Sequence, residues 1–109
     1  MIRVTIMQDS LGEPVGFVTE GHAEYAEAGR DIICAAVSVL VLNAVNSVEQ
    51  FTEDGFQAEQ EQESGKIRFH FTEEPSVSGR LLIRSMILGL EQIQEEYGTD
   101  YLRLQFEEV

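Results

Sequence analysis

The chain opens with apolar residues at every second position: Ile2, Val4 and Ile6 share one face of a strand, Arg3 and Thr5 the other. Asp9, Ser10, Gly12 and Pro14 then mark a turn, and Val15, Phe17 and Thr19 resume the alternation. The two runs read as a β-hairpin. Residues 21–30 are bracketed by Gly21 and Gly29 and read as a mobile loop between elements. With Asp31 as N-cap, a helix is expected from there to about Phe51. Its apolar set Ile33, Val37, Leu40, Val41, Ala44 and Val48 recurs at helical spacing, and Ile32, Ala35, Ala36 and Val39 fill much of the remaining circumference. A helix apolar on most sides belongs inside a domain or against a second subunit.

Residues 56–61 and 66–71 read as a second hairpin joined through Glu63-Ser64-Gly65, with Ile67, Phe69 and Phe71 on its inner face. The polar stretch 57–64 reads as a solvated edge and loop that holds no ligand site. A second helix is expected from Ser76 or Ser78 to Tyr97, its stripe formed by Leu82, Ile83, Met86, Leu90, Ile93 and Tyr97. Gly98 stands where a left-handed residue ends a helix. Leu102, Leu104 and Phe106 alternate inward on a last strand. The order is ββαββαβ: an α+β fold of two helices packed with two small, mainly antiparallel β-sheets.

Length changes the picture only by limiting it. The 109 residues make one domain, 1–109, long enough for a single core. One cysteine excludes an intrachain disulfide. The N-terminal alternation lacks the pattern of a signal peptide, and the apolar run 32–42 is shorter than the ~20 residues of a membrane span. A cytoplasmic location without membrane contact is the expectation. The net charge of −13, from 20 acidic and 7 basic side chains, repels nucleic acid and favours a basic partner. The same charge also serves plain solubility.

One constellation carries chemistry: His22 with the segment Asp31-Ile32-Ile33-Cys34-Ala35-Ala36-Val37-Ser38. A cysteine nucleophile acts as thiolate, from an unperturbed pKa of about 8.5. With Asp31 as N-cap, Cys34 falls in the first helical turn, where spare N–H groups and the helix dipole favour an anion. A loop histidine would act as base and later protonate the leaving amine, and the N–H groups would receive an oxyanion. Asp31 opposes the dipole unless its carboxylate is engaged as a cap or orients His22. Ser38 lies one turn beyond Cys34 on the same face. Against this stands the commoner fate of a cysteine among Ile, Ala and Val, an inert packing residue. The residues by themselves leave both readings open. One cysteine and two histidines, with His70 on the outer face of a strand, are too few for a structural zinc site, and no metal or cofactor is expected.

The strings Gly21-His22-Ala23 and Ala28-Gly29-Arg30-Asp31-Ile32-Ile33-Cys34-Ala35-Ala36-Val37-Ser38 resemble the signature of the ribosomal-processing cysteine proteases, the Prp or YsxB-like family. The resemblance implies Cys34 as nucleophile, His22 as catalytic histidine, and Asp31 and Ser38 as auxiliary positions. It implies a flexible substrate-binding loop that includes Gly21, Ala23, Tyr25 and Gly29, and a homodimer. The implied substrate is the basic large-subunit ribosomal protein L-twenty-seven, from which a short N-terminal extension is removed. Ile33, Val37 and Tyr25 are then candidate walls of an apolar groove. Two other functions fit the composition: a non-enzymatic acidic module that holds a basic ribosomal tail, and a redox-sensing thiol protein.

Overall fold

The computed structural model describes residues 1–21, 30–61 and 63–109, with Arg30 and Asp31 as backbone. Alternation of apolar residues builds β1 (Ile2–Gln8) and β2 (Pro14–Glu20), paired antiparallel with Ile6 opposite Phe17 and Val4 opposite Thr19. The turn between them is organised by Asp9, whose Oδ1 accepts the Leu11 N–H at 2.9 Å and the Glu13 N–H at 3.0 Å. Such an Asx turn uses the carboxylate as a substitute for a backbone acceptor. The second hairpin is β3 (Phe56–Glu61) with β4 (Lys66–Phe71). Helices α1 (Arg30–Phe51) and α2 (Val77–Tyr97) follow the two hairpins in turn, and β5 (Leu102–Glu108) ends the chain.

The α+β class and the ββαββαβ order stand, but the hairpins do not form two separate sheets. They merge into one five-stranded sheet of order β3-β4-β2-β1-β5. β2 and β4 join them antiparallel, with Phe17 opposite Phe69 and Thr19 opposite Ile67. Stacked rings of Phe17 and Phe69, 5.1 Å between centroids, hold that seam. The physical reason is that each hairpin alone leaves an edge of unpaired backbone groups, which the other satisfies. β5 adds parallel to β1, Ile2 opposite Leu102 and Val4 opposite Leu104, with α2 in the long connection that leads to it.

Both helices cover one face of the sheet. Ile33, Val37, Val41, Ala44 and Val48 from α1 and Ile83, Met86, Ile87 and Leu90 from α2 pack on Val4, Ile6, Phe17, Phe69 and Leu102. The helices approach closely at Gly89, where a Cβ would stand 2.9 Å from Leu40 Cδ1. The other sheet face carries Arg3, Arg68, His70 and Arg103 to solvent, with His70 exposed as its position in the alternation required.

Three local expectations change. α1 starts at Arg30, so Asp31 stands inside the helix rather than at its N-cap. Tyr97 and Phe106 are each 46% exposed and lie outside the core, because the stripes of α2 and β5 run past the end of the facing layer. On α1, Ile32 and Val39 project away from the sheet at 63% and 67% exposure.

Candidate active site

Cys34 is the fifth residue of α1 and half-buried against the core. Val37, Ser38 and Val41 follow it at three, four and seven residues, so the four side chains share one side of the helix. That side closes a cleft of about 150 Å³ with residues from four other parts of the fold. Ile2 comes from β1, Thr19 and Glu20 from the end of β2, Ile67 from β4, Gln60 from β3; Gly21 and Gly65 stand just outside the strands. The cleft is thus mostly aliphatic, with a thiol, two hydroxyls and an amide placed around it.

Gly21 is where β2 hands the chain to the segment that follows. Its φ is +87°, and a Cβ there would run into the Met1 carbonyl oxygen. Only glycine suits both conditions. A second, more open hollow of about 540 Å³ continues from the cleft through Glu20 and Gly21, and Arg3, Glu61, Ser64 and Lys66 line it. Lys66 Nζ stands 3.9 Å from a Glu20 carboxylate oxygen across that hollow.

The fold therefore brings Cys34, Ser38 and Gly21 to one cleft, as the sequence pattern anticipated. His22, Ala23, Tyr25 and Gly29 lie outside the described residues, as does the side chain of Asp31. Among the candidate walls, Val37 lines the cleft, whereas Ile33 is turned into the core at 3% exposure. Because α1 starts at Arg30, the N–H groups without a partner inside the helix are those of residues 30–33. They precede Cys34 instead of including it, so the spare donors approach the thiol from the N-terminal side.

Thr19, Gln60, Gly65 and Ile67 were not foreseen as part of the site, and the stretch 57–64 does contribute to it through Gln60. No local signal marks these residues. They arrive through the β2–β4 register, which sets Thr19 beside Ile67. Among the described residues, no group of three or more His, Cys, Asp or Glu is placed to hold a metal ion.

The sequence pattern of the family described as "Cysteine protease Prp" matches residues 1–102. The chain belongs to that family. It is accordingly a cysteine protease, and its sequence contains one cysteine. The ribosomal processing cysteine protease Prp of Bacillus subtilis (strain 168) is 36% identical over 110 residues, which span 95% of this chain and 96% of that one. The Prp of Staphylococcus aureus (strain NCTC 8325 / PS 47) is 26% identical over 106 residues, or 97% of this chain and 99% of its own. A crystal structure of the essential ribosomal processing protease Prp from S. aureus, in complex with a covalently linked product peptide, superposes with a TM-score of 0.89. It is 26% identical and covers 98% of this chain and all of the S. aureus chain. A second S. aureus Prp structure, with a substrate peptide, superposes equally well at 25% identity, over 98% of this chain and all of that one.

Proposed function

We propose that this Prp-family chain is an endopeptidase in which Cys34 is the nucleophile and His22 the general base. The observation that carries the reading is the cleft shared by Cys34 and Gly21. His22 is the next residue after Gly21, and a trans peptide holds consecutive Cα atoms about 3.8 Å apart. The thiol of Cys34 gives its proton to the His22 imidazole, and the thiolate sulfur attacks the scissile carbonyl carbon. N–H groups at the start of α1 stabilise the oxyanion. The C–N bond then breaks as His22 returns the proton to the leaving amine. A water deprotonated by His22 attacks the thioester, releases the new carboxylate and restores the thiol. Asp31 and Ser38 serve as auxiliary groups, Asp31 by orienting the histidine and Ser38 by hydrogen bonding within the cleft.

The substrate in this reading is the N-terminal extension of the ribosomal protein L-twenty-seven. Two features support it: relatives that are ribosomal processing proteases, and a net charge of −13, which draws a basic protein toward the chain before specific contacts form. The reaction belongs in the cytoplasm, where a thiol stays reduced, and the working form is a homodimer packed through the outer face of α1.

The test is incubation of the purified protein with a peptide of the extension, beside Cys34→Ala, with products read by mass spectrometry. One cut by the wild type and none by the variant is expected. Binding without a cut by either would overturn the endopeptidase reading and leave an acidic module that only holds the basic tail.

A further inference from the structure

We propose that Thr19 determines specificity in this cleft: its hydroxyl receives the uncharged, hydrogen-bonding tip of the substrate side chain that enters beside Cys34. The inference rests on the protease reading and extends it to the chemistry of the substrate residue.

Thr19 is one of only two buried polar side chains among the described residues, at 4% exposure; the other is Ser47. It sits on β2, a strand with partners on both sides, and its neighbours across the ladder on the same face are Val4 and Ile67. Both are apolar and buried. Valine has nearly the same shape and would fill this position without placing a hydroxyl there. A helix offers a hydroxyl the carbonyl one turn back, as α1 does for Thr52, whose Oγ1 donates to the Val48 carbonyl at 2.7 Å. A central strand offers no such local partner, because its carbonyls are engaged in the ladder.

Among the described residues, no side-chain hydrogen bond uses the Thr19 hydroxyl. Nor is its oxygen one of the sealed, partnerless atoms, which are Ser64 Oγ and Arg80 Nε. The oxygen therefore opens on the cleft that Thr19 lines with Cys34, Val37, Ser38 and Val41. A buried hydroxyl that gains no partner is a cost to folding, and one that faces a substrate pocket gains its partner on binding. Aliphatic walls with one recessed hydroxyl suit a side chain with an apolar body and a neutral polar tip, such as a phenol or a carboxamide. A charged tip would be desolvated there without a counter-charge.

The experiment compares extension peptides that differ only at the residue preceding the scissile bond, as Tyr against Phe and Gln against Met. Binding is measured by calorimetry to Cys34→Ala and to Cys34→Ala with Thr19→Val, and cleavage in parallel with Cys34 intact. The polar-tipped member of each pair should bind about tenfold tighter to the Thr19 protein, the worth of one net hydrogen bond. With Thr19→Val that ratio should fall to about one while the Phe and Met peptides bind as before; Thr19→Ser should retain most of the preference. An equal ratio with and without Thr19, or a uniform weakening of all four peptides, would overturn the proposal. Because binding is read in a protein that cannot cut, a failure of the protease reading appears separately, as absent cleavage with the Cys34 proteins.

Discussion

At Gly21 two constraints coincide, and comparison with Gly12 separates them. Both residues have positive φ, +87° and +78°. A Cβ at Gly12 would meet nothing within 4 Å, whereas one at Gly21 would collide with backbone at Met1. Gly12→Ala should therefore cost only the strain of a left-handed alanine, about 1 kcal/mol, and leave peptide cleavage unchanged. Gly21→Ala adds a collision that flexible side-chain motion cannot relieve, so it should cost about 2–3 kcal/mol and lower the melting temperature by about 10 °C or more. Because Gly21 lines the cleft next to the proposed base, kcat/KM measured well below that temperature should also fall. Thermal unfolding and cleavage rates of the two variants check both parts. Full activity in Gly21→Ala would remove this residue from the account of the site. The contrast between Cys34 and Thr19 shows what was legible at this scale. Cys34 and His22 stand in a contiguous signature that sequence can display. Thr19 has the ordinary look of a β-branched residue on a strand, and its placement in the cleft depends on a helix and on β4, both distant in sequence.

Among the elements, α2 begins at a cap whose parts come from two places in the chain. Ser76 Oγ accepts the Gly79 N–H at 3.0 Å and donates to Asp54 Oδ2 at 2.7 Å, while the Ser76 N–H donates to Asp54 Oδ1 at 2.9 Å. Asp54 thus ties the end of the α1–β3 connection to the start of α2 and places a carboxylate near the positive end of the helix. Ser76→Ala should cost about 1 kcal/mol, the usual worth of an N-cap. Asp54→Ala should cost a similar amount, and the double variant less than the sum, because both changes break the same Oγ–Oδ2 bond. Urea unfolding of the three variants measures this; strict additivity would mean the network is not coupled. Both hairpins, both helices and the final strand were readable from periodicity, down to the limits of β3 and β4. Ser76 as a start of α2 and Gly98 at its end, with φ +97°, were readable from capping chemistry. The union of two hairpins into one sheet was not. Periodicity states which face of a strand is apolar, but is silent about which strand edge meets which, and that choice is made by packing Phe17 on Phe69.

For the whole molecule, two opposed surface properties bear on the proposed homodimer. α1 is apolar nearly all round, and by length and hydropathy it would even suffice to cross a membrane, yet only 33% of that stretch is buried within the fold. Its outward residues Ile32, Ala35 and Val39 form, with Gly89 and Ile93 of α2, a shallow trough of about 650 Å³. An anionic bilayer surface would repel a chain of charge −13, while a second copy offers the same apolar surface in return, as two-fold symmetry requires. Two copies at −13 also repel each other, over a distance set by the Debye length, about 30 Å at 0.01 M salt and about 10 Å at 0.1 M. The apolar contact is short-ranged and barely affected by salt over this range. Dimerisation should therefore tighten as salt rises from 0.01 to 0.1 M. Capture of a basic substrate should weaken over the same range, since there the long-range term is attractive. Sedimentation equilibrium at several salt concentrations, beside Val39→Glu, measures the dimer. The variant should remain folded by circular dichroism and run as a monomer at all of them. A wild type that stays monomeric at high protein concentration and 0.1 M salt would overturn the homodimer, and one whose dimer loosens with salt would place the contact on charged residues instead of on α1.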